Sequence, residues 1–282
     1  MNYIFYYFGQ IPDHVEYSIN SVLNIDPESE IFVCSDQKVN FNNVKHVNPY
    51  LVESKNTKLV KELNYFRDGD QNPLWSSSMM RIFYMIDVAR YFKIDSFIHF
   101  DSDVLLFKPF EKLSYLFEKN KLNITPLMEE FLVFGYSYIE NNTVFSEIGE
   151  IIINILNNSK EYENEFYNGN RLTEMKSLYI ASVINPKIFN LLPVLPDKEV
   201  VFDPGSYGQY LGGVHHKRFS KRYTNSEHIV GKSLINNEIS IENKNRRPKI
   251  IKNEKSYDLV NLHVHKKNLK KFQPKDFIWK TR

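Results

Sequence analysis

Residues 96–107 read SFIHFDSDVLLF, in which two apolar runs flank a pair of aspartates, Asp101 and Asp103. A near-continuous hydrophobic run is typical of a strand that is buried on both faces of a parallel sheet. Ligands of open α/β sheets bind at the carboxyl ends of such strands, so we expect both acids to face a ligand. In an extended segment residues i and i+2 point the same way. Two carboxylates on one side suit Mg²⁺ or Mn²⁺, and such an ion suits a diphosphate.

A solvated acidic turn is the alternative interpretation of this motif. The chain carries a second Asp-x-Asp at Asp68–Asp70, among turn-forming residues and without a preceding strand. That context predicts a loop for the second copy. The strand before Asp101 favours a ligand site for the first copy.

The bulk composition fits one large α/β domain. The chain has 282 residues, of which 42% are hydrophobic, and its formal net charge of +2 indicates no particular partner. The charge is unevenly distributed, because residues from His215 onward include 18 Lys and Arg against 6 Asp and Glu. This basic C-terminal third could contact phosphates, an anionic membrane or nucleic acid, or it could simply form a solvated surface.

Cys34 is the only cysteine, which excludes an internal disulfide and a cysteine-based metal site and suits a reducing compartment. The apolar start, Met1–Gly9, is short and lacks a basic leader, which argues against a signal peptide. No uninterrupted apolar stretch approaches the ~18 residues of a membrane span. We therefore expect a cytoplasmic protein, in the host cytoplasm if the source is viral.

The N-terminal pattern predicts a nucleotide-binding half. Tyr3–Phe8 and Ile31–Cys34 are predicted strands, Val15–Leu23 between them is a predicted helix, and Asp36 follows the second strand. There is no glycine-rich phosphate loop, so another group, such as a metal, must meet phosphate charge. The further helices predicted from apolar spacing are Met79–Phe92 with an N-cap among Ser76–Ser78, Pro109–Phe117, Thr143–Leu156 and Leu172–Ile184.

Two charged residues on these helices are possible site residues. Arg81, near a helix start, could reach a donor phosphate or could be a surface charge. Glu174 could contact a sugar hydroxyl, although an exposed helix acid is the interpretation we favour. Both predictions depend on where the helices lie relative to the Asp-x-Asp strand.

A second informative stretch, residues 200–213, reads VVFDPGSYGQYLGG. An apolar run again ends in an aspartate, Asp203, and the glycines that follow permit tight turns and close approach to a ligand. Asp203 could orient or deprotonate a hydroxyl, or it could cap a helix, which the following Pro204 would fit. The basic segment Val214–Asn225 beyond it is predicted to be a loop and is a candidate lid.

A third stretch, residues 259–269, reads LVNLHVHKKNL. Strand alternation places Asn261, His263 and His265 on one face and apolar residues on the other. A histidine at the carboxyl end of a strand can complete a metal shell that Asp103 begins. A half-exposed strand with polar residues outward is the alternative, and the Asp-x-Asp strand makes us favour the site.

These stretches resemble a known class of enzyme. A strand that ends in Asp-x-Asp, together with a late His and Lys, resembles the GT-A class of nucleotide-sugar-dependent glycosyltransferases. More closely, residues 202–213 and 261–269 resemble a group found in large DNA viruses of algae, in phages and in bacteria. The resemblance extends from the first strand to about Phe272. Asp-x-Asp is a weak motif, whereas the two later segments together are fairly specific.

The resemblance implies a GT-A type, Rossmann-like α/β sandwich with a mostly parallel central sheet flanked by helices. It implies a single domain over residues 1–282, with a nucleotide-binding half at about 1–110, an acceptor half that also brings the late metal ligand at about 111–272, and a tail at 273–282. It also implies an Mn²⁺ or Mg²⁺ ion on the diphosphate of a nucleotide-sugar donor, most simply a UDP-sugar.

By position, the resemblance assigns Asp103 to the metal and Asp101 to the metal or the ribose. His263 or His265 would be the late metal ligand, and we favour His265 because it is nearer the strand's carboxyl end. Asp36 would contact the base or the ribose.

The remaining assignments concern the sugar and the phosphates. Asp203 and Gln209 would face the transferred sugar or the acceptor. The chain departs from the family pattern at Lys266, where we expect a small serine before the lysine, so the phosphate contact lies with Lys266 or Lys267.

We therefore predict a metal-dependent glycosyltransferase of hexosyltransferase type that transfers a sugar to a hydroxyl of a glycan or another acceptor. An inverting reaction needs a carboxylate base, for which Asp203 is the candidate. In a retaining reaction Asp203 or Gln209 would instead stabilise the positive sugar. The alternatives are a nucleotidyltransferase or phosphohydrolase that uses the same acids, and a non-catalytic nucleic-acid-binding protein that uses the basic third.

Overall fold

The computed structural model describes residues 1–63, 73–212 and 225–281. The strands are β1 Asn2–Tyr6, β2 Glu30–Cys34, β3 Lys45–Val47, β4 Phe97–His99, β5 Val104–Leu106, β6 Leu122–Met128, β7 Phe131–Ile139, β8 Phe189–Leu191, β9 Val200–Val201, β10 Ser240–Lys244, β11 Arg247–Lys252, β12 Lys255–Leu259 and β13 Asn261–His263. The α-helices are α1 Asp13–Ile25, α2 Pro49–Val52, α3 Lys55–Glu62, α4 Pro73–Phe92, α5 Asn142–Asn157, α6 Ser159–Tyr167, α7 Glu174–Ile184, α8 Tyr207–Tyr210 and α9 Ile229–Ile235.

The main sheet has seven strands in the order β3-β2-β1-β4-β7-β6-β8. The first four are mutually parallel, β7 is antiparallel to both β4 and β6, and β8 is parallel to β6. The predicted α/β sandwich with a mostly parallel central sheet is therefore confirmed. The carboxyl ends of β1, β2 and β4 meet at one edge, where a ligand of such a sheet is expected.

Alternation along the parallel strands divides the core into two layers. Ile4 and Phe32 pack with α4, α5 and α7 on one face of the sheet. Phe5 and Val33, their neighbours in sequence, pack with α1 on the other face. Because successive strand side chains point to opposite faces, both faces of these strands are apolar. This explains why the predicted strands show continuous apolar runs.

Residues 96–107 do not form one strand. They form β4 and β5, and the two acids lie in a turn between these strands, in which the N–H of Val104 donates to the carbonyl of Asp101 at 3.1 Å. β5 leaves the main sheet and pairs antiparallel with β13. The prediction of an extended segment through the acids is therefore wrong, because the chain turns to change sheets between them.

Two predicted helices also differ from the structure. Helix α4 begins at Pro73, so Ser76–Ser78 lie inside its first turns instead of capping it. Proline suits the first helical position, since its missing N–H would have no partner there. Residues 109–117 form only two short 3₁₀ turns, Phe110–Lys112 and Ser114–Leu116.

The C-terminal part adds a smaller sheet that was not predicted from the sequence. Strands β10, β11 and β12 form two hairpins, and β12 pairs parallel with β9. Both hairpin turns use two residues with positive φ, Asn245–Arg246 and Asn253–Glu254, as type I′ turns require. Several basic residues here are paired with acids, including Arg247 with Asp276 at 2.7 Å.

The last described residues pack along α1. The N–H of Lys280 donates to Asn20 Oδ1 at 2.8 Å, and the N–H of Ile278 donates to Asn24 Oδ1 at 2.8 Å. None of the described helices is long and apolar enough to cross a membrane. The loop predicted at Asp68–Asp70 lies outside the described residues, as does the predicted loop at Val214–Asn225 except for its last residue.

Candidate active site

Asp103, His263 and His265 converge in the structure. The antiparallel pairing of β5 with β13 sets His263 opposite Val104, and the N–H of Val264 donates to the carbonyl of Asp103 at 2.9 Å. This register brings the histidine face of β13 to the turn that carries Asp103. One potential metal-binding atom from each of the three residues lies within 4.8 Å of the others. The nearest pair is Asp103 Oδ1 and His263 Nε2, at 2.9 Å.

The three side chains shift one another's pKa values. Burial alone would raise the pKa of Asp103, but the adjacent His263 outweighs it and holds that pKa well below its usual value. Burial would likewise lower the pKa of His263, but Asp103 outweighs it and raises that pKa to about 9. Burial and the charge of His263 lower the pKa of His265. Without a cation, a proton on His263 neutralises Asp103, so a metal must displace that proton to bind.

The hydrogen bonds of His265 leave one ring nitrogen free for a metal. Its Nε2 lies 2.8 Å from the carbonyl oxygen of Gly205, and the amide nitrogen of Gln209 contacts the same carbonyl. A carbonyl oxygen has two lone pairs and can accept from both donors. Nε2 also lies 2.8 Å from the amide nitrogen of Gln209, which is a donor, so Nε2 either donates to the carbonyl or accepts from Gln209. In the tautomer that donates to the carbonyl, His265 presents the lone pair of Nδ1, and a carbonyl partner of this kind is usual behind a metal-binding histidine.

Gly205 allows the loop after β9 to approach both histidines. Its φ of +105° is one that glycine adopts most readily. A Cβ on this residue would lie 3.2 Å from His263 Nδ1 and 3.3 Å from His265 Nε2. A larger residue would press on both rings. The glycine content of the segment thus reflects close approach of the backbone to the histidine pair.

Asp203 is fully buried and anchors this loop. Its Oδ1 accepts from the N–H groups of Gly205, Ser206 and Tyr207 at 2.7–2.9 Å, and its Oδ2 accepts from those of Gly208 and His263 at 3.1 and 2.9 Å. The carboxylate therefore faces the backbone. From the sequence we expected Asp203 to face a sugar or an acceptor. The geometry matches the alternative, in which Asp203 caps a helix.

Asn261 supports the same junction and was not predicted as a site residue. Its Nδ2 donates to the carbonyls of Gly135 and Asp203, both at 3.0 Å, and its Oδ1 accepts from the N–H of Asp203 at 3.1 Å. It connects β7, the loop after β9 and β13. The only signal in the sequence was its position on the histidine face of the strand.

Arg81 holds Asp101 and Glu174 together. Its Nη1 donates to Asp101 Oδ1, and its Nη2 lies 2.8 Å from both oxygens of Glu174. Glu174 is only 4% exposed, so the prediction of an exposed helix acid is wrong. Burial raises the pKa of Glu174 to about 7, with Arg81 opposing and Asp101 reinforcing the rise. Burial alone would lower the pKa of Arg81, but its two acidic partners outweigh that effect.

The two acids of Asp-x-Asp thus have different partners. Asp103 faces the histidines, whereas Asp101 is held by Arg81 and its Oδ2 lies 3.9 Å from His263 Nε2. Asp101 is therefore adjacent to the three-residue cluster without belonging to it. The sequence predicted equivalent directions for the acids, but the turn separates them.

The remaining predicted residues border this edge of the sheet. Asp36 follows β2, and its Oδ1 accepts from the N–H of Gly9, just after β1, at 2.8 Å.

Lys266 and Lys267 follow the histidines and are exposed. Lys267 has a φ of +59°, and its N–H donates to the carbonyl of Val264 at 2.7 Å, so the chain turns sharply there. Gln209 is 7% exposed, and its amide nitrogen lies 2.8 Å from His265 Nε2.

His14 is a further polar residue near the cluster that the sequence analysis missed. It lies in the first turn of α1, is 5% exposed, and its ring meets that of Tyr7 edge-on at 6.0 Å. Its Nε2 has no hydrogen-bond partner among the described residues. The apolar spacing that revealed α1 gives no reason to single out this histidine.

The donors at the cluster fit a divalent cation. They comprise one carboxylate and two imidazoles. Mg²⁺ prefers an all-oxygen shell, whereas a set that mixes carboxylate and imidazole better suits a transition metal such as Mn²⁺ or Zn²⁺.

Comparison with known proteins finds matches among solved structures. No protein-family model and no curated protein matches the chain. The chain is similar to mouse xyloside xylosyltransferase 1, with 10% identity, 68% of this chain and 86% of that chain covered, and a TM-score of 0.47. It is also similar to the galactosyltransferase LgtC, with 12% identity, 68% and 73% covered, and a TM-score of 0.44.

A third similar structure is a glycosyltransferase involved in the glycosylation of the major capsid of PBCV-1. It shows 14% identity, with 71% of this chain and 84% of that chain covered, and a TM-score of 0.38. All three proteins are glycosyltransferases.

Proposed function

We propose that this protein is a metal-dependent glycosyltransferase that transfers a sugar from a nucleoside diphosphate donor to an acceptor hydroxyl. The observation that supports the proposal is the convergence of Asp103, His263 and His265 at the carboxyl edge of the parallel strands. A ligand of an α/β sheet is expected at this edge, and the three donors fit a cation.

The three converging residues would hold the cation, with Mn²⁺ as the first candidate. A divalent cation bound there would neutralise the charge of the departing diphosphate. Both histidines lie close enough to take part, which supports a site that uses both, although His265 alone was favoured from the sequence. His265 would bind through Nδ1, because its Nε2 faces the carbonyl of Gly205.

Arg81 would fix the orientation of Asp101 beside the cluster. Its guanidinium is held by Glu174, so Asp101 is presented with one oxygen paired and the other directed toward His263. Asp101 could then accept a hydrogen bond from a ribose hydroxyl or join the cation. Arg81 itself is engaged by two carboxylates, which argues against the direct phosphate contact considered for it.

Donor binding would use the groups that border the edge. Asp36 would contact the base or ribose, since it closes the loop after β1. Lys266 or Lys267 would contact the diphosphate, and the turn at Lys267 keeps both lysines close to the histidine pair. An exposed lysine can supply such a charge without the cost of burying it.

Asp203 would be a positioning residue and not a base, because five N–H groups occupy its two oxygens. An inverting reaction requires a carboxylate base, and the engagement of Asp203 by backbone N–H groups supports retention of configuration at the sugar, which we propose. Gln209, whose Oε1 has no partner among the described residues, would face the transferred sugar.

The test is a panel of nucleotide sugars with Mn²⁺, Mg²⁺ or Zn²⁺, scored by thermal shift and by release of nucleoside diphosphate. We expect one donor to stabilise the protein and to be slowly hydrolysed, with both effects lost in EDTA and in Asp103→Ala. Asp95→Ala is the matched control, because Asp95 is exposed and belongs to no part of the site.

The same panel separates the alternatives. Release of pyrophosphate or phosphate instead of nucleoside diphosphate would indicate a nucleotidyltransferase or a phosphohydrolase. Steeply salt-dependent binding to DNA or RNA, unchanged in Asp103→Ala and without a response to any donor, would indicate a nucleic-acid-binding protein.

A further inference from the structure

His14 is placed at the cation site by the packing of α1 on β5. Ser18 Oγ donates to the carbonyl of Val104 at 2.6 Å, and the N–H of Leu106 donates to Ser21 Oγ at 3.0 Å. Ser18 on α1 therefore lies beside Val104 on β5, and Ser21 lies beside Leu106. The helix and the strand run in the same direction.

The same register extends to the Asp-x-Asp turn. His14 lies four residues before Ser18, on the same helix face and about 6 Å nearer the helix start. That distance is about two residues of strand, which brings His14 level with the turn at residues 102–103. The first turn of α1 therefore lies beside Asp103.

Packing accounts for the burial of His14 but not for its free nitrogen. The ring packs edge-on against Tyr7 and is 95% removed from solvent. An apolar residue would serve such a contact equally well. A buried polar atom without a partner costs stability, so the Nε2, which lacks a partner in the described part of the chain, is suited to a ligand.

The charges around His14 indicate what that ligand is. Burial lowers the pKa of His14 to about 4, Asp103 opposes that shift, Lys267 reinforces it, and the neighbouring Asp13 opposes it. The imidazole is therefore neutral at pH 7 and lies within the fields of a cation-binding carboxylate and a lysine. A diphosphate is an anion that can meet a cation on one side and a lysine on the other.

We propose that His14 donates a hydrogen bond from Nε2 to an anionic oxygen of the donor diphosphate, beside the cation held at Asp103. This inference rests on the proposed function and adds a donor-binding residue to it. The N–H groups at the start of α1 favour the same negative charge, since α1 has 13 residues and its first turn carries the partial positive charge of the helix.

The test compares His14→Phe, which retains a ring against Tyr7, with His14→Gln, which retains an N–H donor. Calorimetry with Mn²⁺ measures the binding of uridine, cytidine and guanosine diphosphates and of the matching nucleosides. For the diphosphate that binds, we expect His14→Phe to lower the affinity about tenfold or more and His14→Gln to retain most of it. The affinity for the nucleoside should not change in either variant.

The outcomes separate this inference from the proposed function. If the unmodified protein binds no nucleoside diphosphate, the proposed function fails and the inference fails with it. If it binds one and His14→Phe binds it equally well, or loses nucleoside and diphosphate affinity alike, only the inference is overturned.

A second measurement does not require a folded Phe variant. In the unmodified protein, with diamagnetic Zn²⁺ or Mg²⁺ in place of Mn²⁺, the ring resonances of His14, assigned by their absence from His14→Gln, should shift on addition of the diphosphate and not of the nucleoside. Unchanged resonances at saturating diphosphate would overturn the inference.

Discussion

Arg81 lies between two carboxylates, and its Nη2 is equidistant, at 2.8 Å, from the two oxygens of Glu174. The pair connects α4 to α7 and is almost fully buried. Its Nη1 donates to Asp101, so one guanidinium balances two acids beside the proposed metal site. The stability and the pH response of this edge of the protein should therefore depend on this group.

Arg81→Met should be strongly destabilising. It leaves Asp101 and Glu174 partly or fully buried without a balancing charge, which typically costs about 3–5 kcal/mol. Unfolding by denaturant at pH 7 measures the effect. Arg81→Met combined with Glu174→Leu should recover part of the loss, and a double variant less stable than Arg81→Met alone would contradict this account.

The raised pKa of Glu174 predicts a pH-dependent stability. The carboxyl of Glu174 binds its proton more tightly in the folded state than in the unfolded state. Its stabilising contribution to the free energy of unfolding is therefore fully present below about pH 4.5 and is lost as the pH rises through about 7. The loss is on the order of 3 kcal/mol. Glu174→Gln should remove this component from the curve of unfolding free energy against pH.

The pH dependence of the unfolding free energy must be compared between the unmodified protein and Glu174→Gln. The reason is that buried histidines change the stability in the opposite direction over the same pH range. Burial lowers the pKa of His14 to about 4 and that of His99 to about 3, so both destabilise the fold as the pH falls below 6.5. Their contribution cancels in the difference. Parallel curves for the two proteins between pH 4.5 and 7 would show that Glu174 is not the titrating group.

Binding of Mn²⁺ should be coupled to proton release. Asp103 raises the pKa of His263 to about 9, and the metal needs the unprotonated ring. The affinity should therefore rise with pH from 6 to 8, by up to about tenfold per unit. Calorimetry in two buffers with different ionisation enthalpies counts the protons released, and an affinity independent of pH would rule out His263 as a ligand.

Gly205→Ala should weaken metal binding more than it weakens the fold. The new methyl group would lie 3.2–3.3 Å from nitrogens of both histidines, and the φ of +105° adds backbone strain of about 1–3 kcal/mol. Gly169→Ala is the matched control, since Gly169 also has a positive φ but its nearest new contact is Asn164 at 3.4 Å. Equal Mn²⁺ affinities of the two variants would show that the approach of Gly205 to the rings is unimportant.

Asp203→Asn should affect stability and metal binding together. Replacing one carboxylate oxygen with an NH₂ group places a donor against backbone donors, with an expected loss of about 2–4 kcal/mol. One of these donors is the N–H of His263, so the metal site should loosen as well. A fully stable Asp203→Asn protein with normal Mn²⁺ affinity but greatly reduced turnover would restore Asp203 as a base.

The sequence predicted the elements whose pattern is local. Val15, Ile19, Val22 and Leu23 are spaced as one helix face, and all are buried in α1. Strands β6 and β7 were missed because much of β7 is buried on both faces, so its sequence, FLVFGYSYI, has no alternation that separates it from other apolar runs.

The site was only partly predictable for a related reason. The chemistry of Asp103, His263 and His265 follows from residue type and from a position at the end of a strand. The burial of Glu174 follows from a partner on another helix, and the role of Asp203 follows from backbone groups that converge only in the folded chain. Pairings of this kind are set by tertiary structure and leave no periodic trace in the sequence.

The pairing of β5 with β13 joins residues 104–106 to residues 261–263, two segments that are far apart in the sequence. A contact so distant in sequence carries a large loop-closure cost, which slows folding until much of the intervening chain is ordered. The cation site can therefore mature only late in refolding. Added Mn²⁺ should leave the early refolding phases unchanged and should slow unfolding, because it stabilises interactions that the transition state has yet to form.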